Sequence, residues 1–188
     1  MRLSIETVLL LAAGIVVYSY LTVYNPIYLP TATFYLLLAV ACTVVIFLLE
    51  QRFPIDKPNV WIVETAAYSF TAMSMLSVLF AFMHSFKVLA ILAEINALYF
   101  LLVALGEDLM TYGLPLALEQ HTPLKKLIYV VFLGLFAVLH YPSYKDPFLL
   151  LQPLLAACIN MYLVLKYRNV TGVIIGHFLT DLVIAGVI

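Results

Sequence analysis

Residues 32–50 read ATFYLLLAVACTVVIFLLE, nineteen positions with a single charged residue at the end. An α-helix needs roughly 20 mostly apolar residues to cross the hydrocarbon core of a bilayer. Six further stretches fit the same description: 4–24, 60–82, 88–119, 125–141, 148–166 and 170–188. The connections between them, among them NPIYLPT, RFPIDKPN, EQHTPLKK and HYPSYKDP, carry prolines that stop helices. The fourth stretch is too long for one straight crossing, so Asn96 to Glu119 is its expected spanning portion. These patterns predict an all-α, polytopic membrane helix bundle of about seven transmembrane helices, with residues 1–188 forming a single membrane domain.

Composition excludes the soluble alternative. With 65% hydrophobic and 10% charged residues and a mean hydropathy of +1.11, a soluble domain would lack polar side chains to cover itself. The start, MRLSIETVLLLAAGIVVYSYLTVY, has a long apolar run and no small-residue cleavage site after it, and reads as a retained first helix. Cys42 and Cys158 lie in apolar runs without metal-type spacing and are expected to be packing residues. A formal net charge of -1 gives no reason to expect nucleic acid as a partner. Membrane lipid is the expected surrounding.

The basic residues predict an orientation. With seven crossings, Arg2, Arg52, Lys57, Lys125, Lys126, Lys166 and Arg168 fall on the side of the N-terminus, and Lys87 and Lys145 on the other. Cytoplasmic loops carry the Lys/Arg excess, so the N-terminus is expected in the cytoplasm. The chain is expected as a multi-pass protein of a prokaryotic cell membrane.

An ionisable group at the centre of a bilayer costs about 2.5 to 3.5 kcal/mol on insertion scales, and such groups are usually paired or functional. Glu64, Glu94, Glu107, Asp108, His140, His177 and Asp181 lie within the expected spans. Five of these sit in the C-terminal half, spread over three helices, as a site shared between helices would require. Glu107 and Asp108 point about 100° apart around their helix and cannot both aim at one small target. Asp108 shares a face with Tyr112 at i+4, which predicts a carboxylate to phenol hydrogen bond and leaves Glu107 as the freer acid. Phe136 and His140 are also four apart, with Pro142 expected to end that helix. His177 and Asp181 have the same spacing, so imidazole and carboxyl group can meet. The competing structural readings are a protonated, hydrogen-bonded packing pair at Glu107 and Asp108, a satisfied interfacial residue at His140, and a helix-stabilising pair at His177 and Asp181. Glu64 and Glu94 are expected to reach toward an interface, and His84 and His121 to be solvated.

The segments EDLMTYG, FAVLH and HFLTD, in this order on three successive hydrophobic stretches, resemble the CPBP family of intramembrane proteases. That family includes the type II CAAX prenyl proteases and the bacteriocin-processing and self-immunity proteins. The resemblance covers about residues 96–188, a CPBP-like core, whereas the first three spans match only as hydrophobic helices. The family pattern is EExxxR, and this chain has Asp108 for the second Glu and Tyr112 for the Arg, which reads as one coupled substitution.

The resemblance implies an intramembrane endopeptidase acting on a hydrophobic or prenylated peptide. Glu107 would be the general base that activates water, His140 would position that water or the substrate, and His177 with Asp181 would stabilise the oxyanion. It equally implies a zinc site made by Glu107, His140 and His177; the family is argued to work with and without metal. An inactive scaffold or immunity protein, and an ion or proton relay, are the competing classes. One tension accompanies the site: counted from the cytoplasmic ends of their spans, His140 and His177 differ in depth by about 12 Å.

Overall fold

The structure, a computed structural model, describes residues 31–50, 60–84, 97–144 and 146–184, together with 10, 13–15 and 17. Among the described residues seven α-helices follow one another: α1 Thr31–Glu50, α2 Val60–His84, α3 Ala97–Asp108, α4 Leu114–Leu118, α5 Lys125–Tyr144, α6 Leu151–Tyr167 and α7 Thr171–Ile184. No strand occurs among the described residues. Among the described residues four segments are long and apolar enough to cross a membrane: Ala32–Glu50, Val60–Phe82, Ala97–His121 and Lys125–Pro142. Val63, Met75, Phe82 and Val130 turn bare apolar side chains outward, as lipid-facing positions do. The protein is an integral membrane helix bundle. The expected first span, 4–24, and Glu94 lie almost wholly or wholly outside the described residues.

Prolines shape the helices in two ways that the sequence reading did not anticipate. Pro115 lacks the N–H that would donate to Thr111, and its ring crowds that carbonyl. The turn before it, Leu109–Gly113, is wound as a π-helix, with the Leu114 N–H reaching back to the Leu109 carbonyl. A wide turn of this kind inserts one residue and rotates everything after it. The second case is a correction: Pro142 does not end α5, which continues to Tyr144. A proline loses one helical hydrogen bond but its φ is compatible with the helix, so α5 carries it in its last turn.

The stretch from α3 to His121 is the axis of the bundle. In its most apolar portion 83% of residues are buried, against 17–33% in the other three spans. Helices α1 and α7 pack on α3, while α1, α5 and α6 contact the π turn. Among the described residues the most extensive contact joins α2 to α7, and it depends on two glycines one turn apart. A Cβ on Gly172 would sit 2.7 Å from Thr65 Cβ, and one on Gly176 would sit 2.6 Å from Ser69 Cβ and 2.8 Å from the Ala66 carbonyl oxygen. Small residues at this spacing let two membrane helices approach at backbone distance. That packing sets the position of His177, the residue after Gly176.

Polar contacts tie the far ends together. Glu119 accepts from Tyr129 and from Arg168, joining the turn after α4 to α5 and to the α6–α7 link. Arg168 closes α6 in the left-handed region at φ 52°, and Asn169 Oδ1 caps α7 by accepting the Gly172 N–H at 2.7 Å. Glu64 accepts from the Tyr167 hydroxyl at 2.9 Å, so it is anchored between α2 and α6. Cys42 is buried as expected, whereas Cys158 is exposed on the outer side of α6.

Candidate functional site

Helix α3 ends in Glu107 and Asp108, and because adjacent residues point about 100° apart, each acid meets a different histidine. Glu107 Oε2 faces His140 Nε2 of α5 across 3.7 Å. Asp108 Oδ1 lies 3.1 Å from His177 Nδ1 of α7. The other nitrogen of His177, Nε2, is 3.6 Å from Asp181 Oδ2, so the predicted i,i+4 pair does meet. The imidazoles therefore reach two consecutive residues, which lie about 1.5 Å apart along a helix axis. The depth difference expected from the sequence does not separate them.

The local folding of α5 aims His140. A carbonyl oxygen can only accept, so the 2.8 Å contact between His140 Nδ1 and the Phe136 carbonyl places the ring proton on Nδ1. Nε2 is left to face Glu107. The Phe136 ring packs against the imidazole at 4.3 Å between centroids, which restrains its rotation. Phe136 thus contributes both a carbonyl and a wall.

Exposure grades across the cluster. The side chains of His140 and Asp181 are 21% and 22% exposed and that of Glu107 12%, while those of His177 and Asp108 are 8% and 1%. His177 is flanked by two carboxylates, within hydrogen-bond distance of Asp108 through Nδ1 and with Nε2 3.6 Å from Asp181, beyond hydrogen-bond length. The second oxygen of Asp108, Oδ2, is buried without a hydrogen-bond partner, as is the Thr111 hydroxyl.

The expected bond between Asp108 and Tyr112 is not formed. The π turn between them adds a residue to the helical repeat, which moves Tyr112 off the face that carries Asp108. Tyr112 is instead fully enclosed beside Asn160 of α6. Asp108 takes its compensation from His177.

The zinc set of Glu107, His140 and His177 does not fit this arrangement. Among the described residues, no three His, Cys, Asp or Glu side chains group as metal ligands. Glu107 and His140 face each other, but both nitrogens of His177 are turned to Asp108 and Asp181. His177 would join them only by turning Nε2 away from Asp181.

One participant was missed by sequence reasoning. The Tyr35 hydroxyl of α1 donates to Glu107 Oε1 at 3.0 Å. Nothing local marks this residue, since it is one of 13 tyrosines and lies 72 positions from its partner.

Residues 88–183 match the family model described as type II CAAX prenyl endopeptidase Rce1-like, just over half of the chain. No curated protein and no solved structure gives a match.

Proposed function

The chain belongs to the Rce1-like family of type II CAAX prenyl endopeptidases, and from that premise we propose that it hydrolyses a peptide bond of a prenylated or otherwise hydrophobic, membrane-associated substrate, using water activated by Glu107. The observation that carries this reading is the pair of acceptors, Glu107 Oε2 and His140 Nε2, facing each other at 3.7 Å. That separation is too long for a direct hydrogen bond, and one water oxygen can stand about 2.8 Å from both. Such a water donates a hydrogen to each acceptor, which leaves its lone pairs directed at an incoming carbonyl carbon.

The chain's own residues supply each step. Glu107 takes the proton as the water oxygen bonds to the carbonyl carbon, and the π electrons move to the carbonyl oxygen. His177 Nε2 is 3.6 Å from Asp181, beyond hydrogen-bond length, so its N–H is available to a developing oxyanion on that side. Collapse of the tetrahedral intermediate breaks the C–N bond, and the proton held by Glu107 goes to the leaving amine. Asp108 orients His177 from behind. No step is routed through a metal.

The geometry favours this reading over its rivals. A relay needs ionisable groups spread through the membrane depth, and here they converge on two consecutive residues. A scaffold would be expected to saturate its buried acids, yet Asp108 Oδ2 has no partner. The excess of basic residues on the N-terminal side supports a cytoplasmic N-terminus.

The test is cleavage of a farnesylated peptide ending in a CAAX sequence by the purified protein in detergent or liposomes. We expect hydrolysis, with a rate that a strong zinc chelator leaves unchanged. Absence of cleavage of both prenylated and unprenylated hydrophobic peptides would refute the enzymatic reading. Loss of activity on chelation, restored by added zinc, would refute the metal-free one.

A further inference from the structure

The family match ends at residue 88 on its N-terminal side, yet the structure brings a residue from α1 onto the acid at the centre of the site. We propose that Tyr35 is a positioning residue for the reaction: its hydroxyl holds one oxygen of Glu107 so that the other is presented to the water and to His140. The inference rests on the assignment of Glu107 as the base.

Carboxylate geometry makes this division of labour possible. The terminal torsion of a glutamate is broad and settles in no sharp rotamer well, so an unrestrained Glu107 would present either oxygen, or an edge between them, to His140. The 3.0 Å bond from Tyr35 occupies Oε1, and Oε2 is the oxygen that faces His140 Nε2. A phenol is suited to the task because it donates one proton while bringing no charge. A lysine or arginine there would form an ion pair and compete with the water for the carboxylate.

Tyr35 is itself held from three directions. Its ring meets Phe34 edge-on at 5.0 Å and Tyr99 at 6.1 Å between centroids. Gly106, the residue before Glu107, lies directly against it. A Cβ at Gly106 would fall 3.0 Å from the Tyr35 carbonyl oxygen and 3.2 Å from Tyr35 Cδ1. The missing side chain lets α1 approach α3 at the level of the acid, which sets the reach of the hydroxyl. Ring, backbone and hydroxyl are thus located by separate contacts, and α1 becomes part of the site as well as of the wall.

Two substitutions separate the hydroxyl from the ring. Tyr35→Phe keeps the packing and removes the donor, and Tyr35→Leu removes both. We expect Tyr35→Phe to lower kcat on the farnesylated peptide about tenfold to a hundredfold, the range for one hydrogen bond to a charged group, with KM unchanged. Tyr35→Leu is expected to be no more active than Tyr35→Phe. A Tyr35→Phe enzyme with wild-type kcat, or with its loss in KM alone, would overturn the inference. Glu107→Gln in the same assay distinguishes the two levels. If it is inactive while Tyr35→Phe is normal, only the role of Tyr35 falls. If it is as active as wild type, the base assignment and this inference fall together.

Discussion

Glu107→Gln should lower kcat by about two to four orders of magnitude, the range associated with removal of a general base. The substitution is isosteric, and its carbonyl oxygen can still accept from the Tyr35 hydroxyl, which donates to Glu107 at 3.0 Å. What it loses is the capacity to take a proton. Its amide also presents a donor to His140 Nε2, where the native pair presents two acceptors 3.7 Å apart. The water site is therefore changed as well as the base. Because the side chain keeps its shape and remains hydrogen-bonded, the thermal midpoint should stay near that of the wild type. Steady-state cleavage of the farnesylated peptide measures the first quantity and thermal unfolding in detergent the second. A variant with wild-type kcat would contradict the assignment.

His177→Ala should damage both folding and activity, and its expected effect on stability is the largest of those considered. His177 stands between Asp108 at 3.1 Å and Asp181 at 3.6 Å, and Asp108 is almost entirely buried. Removing one partner of a buried pair leaves the other uncompensated, at a cost on the order of 3 to 5 kcal/mol. Asp108 has no reserve, since its second oxygen already lacks a partner. Activity should fall by about 10² or more with loss of the proposed oxyanion donor. Adding Asp108→Ala to His177→Ala should restore part of the lost stability, because the stranded acid is then gone, and residues in direct contact are not additive. Activity should not return. Thermal unfolding of the two single variants and the double variant reads this out. A His177→Ala protein with an unchanged midpoint would show that the two acids do not depend on the imidazole.

Much of the architecture was legible because hydrophobicity in a membrane protein acts along whole segments. The stretches 32–50, 60–82 and 125–141 lie within a few residues of α1, α2 and α5, since each run is bounded by proline and charge. The acids and histidines stood out for a related reason: in an apolar stretch any ionisable group is conspicuous. What remained hidden is pairwise. Sequence spacing reveals the partner of His177 at i+4, Asp181, but not Asp108, 69 positions away. It presents Tyr112 as a neighbour of Asp108, and the π turn forced by Pro115 moves it toward Asn160. Tyr35 and Gly106 carry no local signal, because an aromatic residue and a glycine in apolar helices are ordinary. Their meaning comes from the approach of α1 to α3. The zinc set shows the same limit. The residue types are right, but the direction of His177 is a property of the packed bundle and of the glycine contact between α2 and α7.

The identity of the attacking atom is the most direct question for this account, and oxygen labelling answers it. The enzyme in excess is taken through a single turnover of the farnesylated peptide in water enriched in ¹⁸O. The peptide product and the Glu107 segment are then weighed by mass spectrometry. Direct attack by a water held between Glu107 and His140 predicts one ¹⁸O in the new carboxylate of the product and none in Glu107. Label in the Glu107 side chain would mean that the carboxylate had itself bonded to the substrate carbonyl and been released by water, which would contradict its role as a base.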